Sequence, residues 1–139
     1  MGSLTLQTRI LVPVFVLLCA LVLNWPSAGR YAAPPNVREV TAMEAKALMD
    51  AGAVVIDVRD RSVSGATHLP GAMLIPLEVL EANLAQLEAV RAKSIIVYCG
   101  DGSTRGPEAA ALLNKAGFAG AVNLKPGIEG WRSAGLPTA

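Results

Sequence analysis

The run Ala53-Val54-Val55-Ile56-Asp57-Val58 is apolar at every position but Asp57. A strand with one face in water alternates polar and apolar side chains. A run without that alternation has both faces buried, and the usual home of such a strand is a parallel sheet covered by helices on either side. Two more runs of this kind follow, Ser94-Ile95-Ile96-Val97-Tyr98 and Ala121-Val122-Asn123-Leu124, with shorter strand candidates at residues 37–40 and 72–75. Segments of helical character separate them. Thr41-Ala42-Met43-Glu44 has the form of a capping box, in which hydroxyl and carboxylate satisfy helix-end N–H groups reciprocally, and predicts a helix to about Asp50 that stops at Gly52. Residues 77–90 place Leu77, Leu80, Leu84 and Leu87 on one stripe of a second helix. A third runs through Lys115 to a stop at Gly117, and a last begins near Ile128. Strands alternating with helices predict an α/β fold, a small parallel sheet with helices on both faces.

That domain takes residues 37–139 of a 139-residue chain. Residues 31–36, Tyr-Ala-Ala-Pro-Pro-Asn, read as a linker by composition. Residues 1–30 read as a signal peptide or membrane anchor. Within them residues 10–23 carry no charge and follow Arg9. The run is shorter than the roughly 20 residues of a full membrane span and fits the core of a signal peptide. Carried on to Trp25, it also suits a short anchor, so residues 10–25 are the membrane-contacting candidate. The expectation is export to the periplasm or another extracytoplasmic space, or anchoring in the membrane. A net charge of +1 provides no basic footprint for nucleic acid. Of two cysteines, Cys19 lies in the apolar segment, so a disulfide scaffold is not expected and Cys99 is left as a lone thiol. With a single histidine, His68, and no cysteine cluster, a metal site has no ligand set.

Cys99 follows the 94–98 strand and opens Gly100-Asp101-Gly102-Ser103-Thr104-Arg105, which leads into the helix-forming run from Gly106. A cysteine at a strand tip, in a glycine-rich loop that ends at a helix N-terminus, has several backbone N–H groups and the positive end of a helix aimed near it. Such a place stabilises a thiolate and a bound anion, and proposes nucleophilic chemistry at sulfur. In parallel sheets ligands bind beyond the carboxyl ends of the strands, where Cys99, Asp57 and Arg59 fall, with His68 in a turn-rich stretch between two strands. Asp57 reads as a structural residue that pairs with Arg59 or caps backbone groups. His68, flanked by Thr67 and Leu69-Pro70-Gly71, reads as a turn anchor rather than a base, and Trp131 as core.

Four stretches in order, Val55-Ile56-Asp57-Val58-Arg59, Gly65-Ala66-Thr67-His68-Leu69-Pro70-Gly71-Ala72, Tyr98-Cys99-x-x-Gly102, and Gly127-Ile128-Glu129-Gly130-Trp131-Arg132-Ser133-Ala134-Gly135-Leu136-Pro137, resemble the rhodanese family of sulfurtransferase domains in its single-domain form. The resemblance spans roughly residues 37–137. It implies that Cys99 accepts a sulfane sulfur as a persulfide, that Gly100, Asp101, Gly102, Ser103, Thr104 and Arg105 form an anion-cradling loop, and that Asp57, Arg59 and His68 support the active face or its packing. It implies a small sulfur-containing anion or a persulfide as donor, a thiol as acceptor, and no cofactor. The loop admits two alignments: six residues ending at Thr104, or a C-x5-R loop closed by Arg105, as in the phosphatase relatives of the fold. An Asp101 carboxylate directed into the cradle would repel an anionic donor.

Three functions are therefore weighed. The leading one is sulfur transfer through Cys99 with ping-pong kinetics. A non-catalytic binding or redox-sensing module is the alternative. A C-x5-R phosphatase comes last, with Asp101 or Glu108 as the only nearby candidates for its general acid.

Overall fold

The computed structural model describes residues 36–139. The signal-peptide or anchor reading of residues 1–30, and the linker apart from Asn36, lie outside the described residues. The three apolar runs are strands: β2 at Val54–Asp57, β4 at Ile95–Tyr98 and β5 at Ala121–Leu124. Two shorter strands complete the sheet, β1 at Glu39–Val40 and β3 at Met73–Leu74. The order is β1-β5-β4-β2-β3 and every pairing is parallel.

The absence of alternation in the sequence has the expected cause. All four residues of β4 are buried: Ile95 and Val97 face one side and Ile96 and Tyr98 the other. On the first side they meet Leu80 and Leu87, together with Ala109, Ala110 and Leu113 of α4 (Arg105–Lys115). On the second they meet Ala42 and Ala45 of α1 (Ala42–Asp50) and Ile128 and Trp131 of α5 (Gly127–Ser133). Helices thus cover both faces. The capping box is present: the Glu44 N–H donates to Thr41 Oγ1 at 3.2 Å, and the Thr41 N–H donates to the Glu44 carboxylate at 2.7 Å.

Residues 77–90 depart from the expected single helix. A short α-helix, α3 at Leu77–Leu80, passes into a 3-10 helix over Glu81–Val90. Two local facts favour the tighter turn. Asn83 Nδ2 donates to the Val79 carbonyl at 2.7 Å, and that oxygen would otherwise accept the backbone N–H four residues on. Leu84, Leu87 and Val90, three apart, all pack on the core, and a three-residue period keeps them on one face. One turn of helix, α2 at Arg61–Ser64, is not anticipated from the sequence; Asp60 begins it by accepting the Ser62 N–H at 2.8 Å. Among the described residues no helix is long and apolar enough to cross a membrane.

Candidate active site

Cys99 stands at the carboxyl end of β4, 4% exposed, and lines an open pocket of about 280 Å³. Arg59, Asp60 and Val63 form one wall; Gly100, Asp101, Thr104 and Arg105 form the other. The loop and the arginine after β2 therefore meet around the thiol, as the parallel sheet requires. Gly102 and Ser103 are loop residues that do not line this pocket, and neither does His68.

The backbone of the loop is held from behind. Asn123 Nδ2, from β5, donates to the Gly102 carbonyl at 2.9 Å. The first N–H groups of α5 take the next two carbonyls: Ile128 donates to Cys99 and Glu129 to Gly100, each at 3.0 Å. Gly102 has φ +74, and a Cβ there would lie 2.5 Å from the Leu124 carbonyl. Gly127, at φ +66, would bring a Cβ to 2.6 Å from the Cys99 carbonyl. Only glycine permits loop and α5 to approach this closely. With the carbonyls engaged at the back, the N–H groups of Gly100, Gly102, Thr104 and Arg105 donate to no backbone carbonyl among the described residues. Thr104 begins α4 without capping it through its hydroxyl. Unengaged donors beside a helix N-terminus next to a thiol can hold an anionic sulfur compound against Sγ.

Charged side chains surround the thiol. Asp101 is tied to Ser103, whose N–H and hydroxyl donate to its carboxylate at 3.0 and 2.6 Å. Those two bonds, hydroxyl first, hold the carboxyl below its ordinary range. Cys99 Sγ donates to Asp101 Oδ1 at 3.9 Å, so the carboxylate is a close neighbour of the thiol. Arg105, the first residue of α4, sends its guanidinium to the rim, where Glu78 pairs with it at 2.6 Å and the Val58 carbonyl accepts at 3.5 Å.

Behind the pocket wall a second, buried set joins three sequence stretches. The Arg59 guanidinium grips Asp57 through Nε and Nη2 at 2.9 and 2.7 Å, and donates to the Thr67 carbonyl at 2.8 Å. The Tyr98 hydroxyl donates to Asp57 Oδ2 at 2.9 Å and accepts the Leu69 N–H at 3.2 Å. Hydrogen bonding to Asp57 raises the Arg59 guanidinium further above its ordinary range. The Asp57–Arg59 stretch, the Thr67–Leu69 stretch and the residue before Cys99 are thus one network. His68 holds the second stretch by its backbone, exchanging bonds with Ala139 at 3.1 and 2.9 Å. Its side chain lines a separate pocket with Asp57 and Ser64.

Residues 41–134 match the family described as the rhodanese-like domain. The chain belongs to the rhodanese-like family. This rhodanese-like domain is 38% identical over 104 residues to the uncharacterized protein YibN of Escherichia coli K12, covering 73% of this chain and 72% of that protein. It is 33% identical over 90 residues to the thiosulfate sulfurtransferase GlpE of Pseudomonas fluorescens, covering 65% of this chain and 80% of that protein. Among solved structures, the rhodanese-like domain of the Anabaena protein Alr3790 superposes with a TM-score of 0.63 at 32% identity, over 75% of this chain and 80% of that one.

Glu78, Asn123 and Tyr98 escape sequence reasoning as site residues. Asn123 carried a usable signal, since it is the one polar residue in an otherwise apolar strand run. Glu78 carried none, because it meets Arg105 only through the fold.

Proposed function

We propose that this domain is a sulfurtransferase in which Cys99 carries the sulfur. The observation that supports it most directly is the placement of Cys99 Sγ in an open pocket beside loop N–H groups that donate to no backbone carbonyl among the described residues. Rhodanese-like sulfurtransferases act between sulfur donors and thiol acceptors. Here the Cys99 thiolate attacks the outer sulfur of a donor such as thiosulfate. A sulfur–sulfur bond forms on Sγ, the donor's own breaks, and sulfite departs with the electron pair. The loop N–H groups receive the donor's oxygens. An acceptor thiol then takes the outer sulfur of the persulfide, becomes a persulfide itself, and returns Cys99 to the thiolate. The two half-reactions share one covalent intermediate, so ping-pong kinetics are expected.

Cys99→Ser tests the assignment. A serine hydroxyl cannot carry a sulfane sulfur, so the variant is expected to lose thiosulfate:cyanide transfer and the single-sulfur mass increase on the peptide holding residue 99, while its circular dichroism stays that of the parent. Equal activity in the two proteins would remove Cys99 from the mechanism.

For residues 1–30 the reading remains a signal peptide or anchor, followed by a linker at 31–36 and the domain at 37–139, with the domain exported or tethered to the membrane. Cell fractionation checks it: full-length chain with an intact amino terminus in the soluble cytoplasmic fraction would contradict it.

A further inference from the structure

Two guanidinium groups line the Cys99 pocket, and each already holds a carboxylate. Arg59 is gripped by Asp57 and also donates to the Thr67 carbonyl. Arg105 is paired with Glu78 at 2.6 Å. The two carboxylates that line the pocket, Asp60 and Asp101, have no ion-pair partner among the described residues. Asp60 is engaged instead by the Ser62 N–H and hydroxyl, and Asp101 by those of Ser103. The charged groups that line the pocket, with the carboxylates paired to its two arginines, are thus two cations and four anions. A small dianion entering this space gains the loop N–H groups but must compete with Glu78 for Arg105.

We propose that Glu78 is a specificity-determining residue: by holding the Arg105 guanidinium at the rim it withholds that cation from oxyanionic sulfur donors, and so favours thiol persulfides, whose leaving sulfur carries no oxygens. The inference rests on the sulfurtransferase reading of Cys99 and narrows its donor class. With a thiol persulfide, the Cys99 thiolate attacks the outer sulfur, the hydrodisulfide forms on Sγ, and the donor thiolate leaves with the electron pair. The leaving sulfur of such a donor bears no sulfonate oxygens to seek Arg105, in contrast to that of thiosulfate, a dianion. Glu78 touches neither thiol nor donor; it acts through Arg105. Both members are half-exposed, with side-chain exposures of 38% for Arg105 and 56% for Glu78. Their pairing is therefore exchangeable, and its removal tunes the site without disturbing the fold.

The test compares thiosulfate with a persulfide that has no carboxylate, that of 2-mercaptoethanol, on the parent, Glu78→Gln, Arg105→Ala and the double variant. Glu78→Gln is expected to lower the KM for thiosulfate by about two- to fivefold, the range that exposed ion pairs carry, with kcat unchanged and the KM for 2-mercaptoethanol persulfide unmoved. In the Arg105→Ala background the same substitution is expected to do nothing. Equal shifts for both donors, or a shift that persists without Arg105, would overturn the role of Glu78. A second readout needs no turnover: sulfate should slow the alkylation of Cys99 by iodoacetamide at a lower concentration in Glu78→Gln than in the parent, and identical protection would also overturn it. If Cys99 gains no sulfur from either donor in the parent, the sulfurtransferase reading fails, and the donor preference with it.

Discussion

Asp57–Arg59 and Glu78–Arg105 are the same chemical pair at opposite ends of the burial scale, and both arginines line the Cys99 pocket. In the first pair the side chains are 2% and 10% exposed, and Tyr98, Thr67 and Leu69 fill out the surrounding hydrogen bonds. In the second they are half-exposed and meet at one contact. The difference separates two uses of a guanidinium beside a nucleophile. The buried one joins distant stretches of chain into a wall. The exposed one is a movable charge. In a buried pair, removing one partner leaves an uncompensated charge in a place that cannot hydrate it; at the rim, water replaces the lost partner.

The contrast breaks most visibly at Asp57. Asp57→Ala leaves the Arg59 guanidinium buried without its carboxylate, and a loss of about 3–5 kcal/mol is expected, read as a lowered midpoint in urea unfolding. A loss below about 1 kcal/mol would show that Arg59 swings to solvent and that the two pairs do not differ in kind.

Tyr98→Phe probes the same network more gently. It removes the hydroxyl that bridges Asp57 and Leu69, at an expected cost of about 1–3 kcal/mol. It also changes the alkaline limb. Burial, the largest influence, pushes the Tyr98 phenol above its ordinary value of 10.0. The folded chain therefore keeps this proton where the unfolded chain has lost it. The resulting stability is fully present below about pH 10 and falls as pH rises beyond it. Unfolding free energies measured from pH 8 to 11 should decline less steeply in Tyr98→Phe than in the parent.

At the exposed pair the effect on stability is smallest. Glu78→Ala is expected to leave the urea unfolding midpoint close to that of the parent, and closer still at high salt. A cost comparable to that of Asp57→Ala would mean that Glu78 is structural, and the exchangeable character of Arg105 would have to be abandoned.

The two regions also differ in how far they can be read without coordinates. β2, β4 and β5 were legible because burial on both faces removes alternation, and the four residues of β5 coincide with the apolar run at 121–124. The capping box and the stops at Gly52 and Gly117 follow from local chemistry, and both glycines have positive φ. The pairing of Asp57 with Arg59 was legible because the two are neighbours two apart in sequence. Glu78–Arg105 was not, since nothing local connects an acid after β3 to the first residue of α4. The change from α to 3-10 after Leu80 was hidden because Leu77, Leu80, Leu84 and Leu87 satisfy an α-helical stripe equally well. The Asn83 side chain and the packing of Val90 decide the matter, and both are consequences of the assembled core.

The anchoring of the loop on β5 and α5 has a consequence for its length. Three of its carbonyls, those of Cys99, Gly100 and Gly102, are fastened to Asn123, Ile128 and Glu129. The first four residues are therefore cast against a mould made by a distant part of the chain, and an insertion among them would unseat all three fastenings. Beyond Gly102 none of these bonds constrains the path. An added residue between Ser103 and Thr104 would enlarge the mouth of the pocket while leaving its floor in place. Growth and shrinkage of the loop, and with them the size of what it admits, are confined to the two residues before α4.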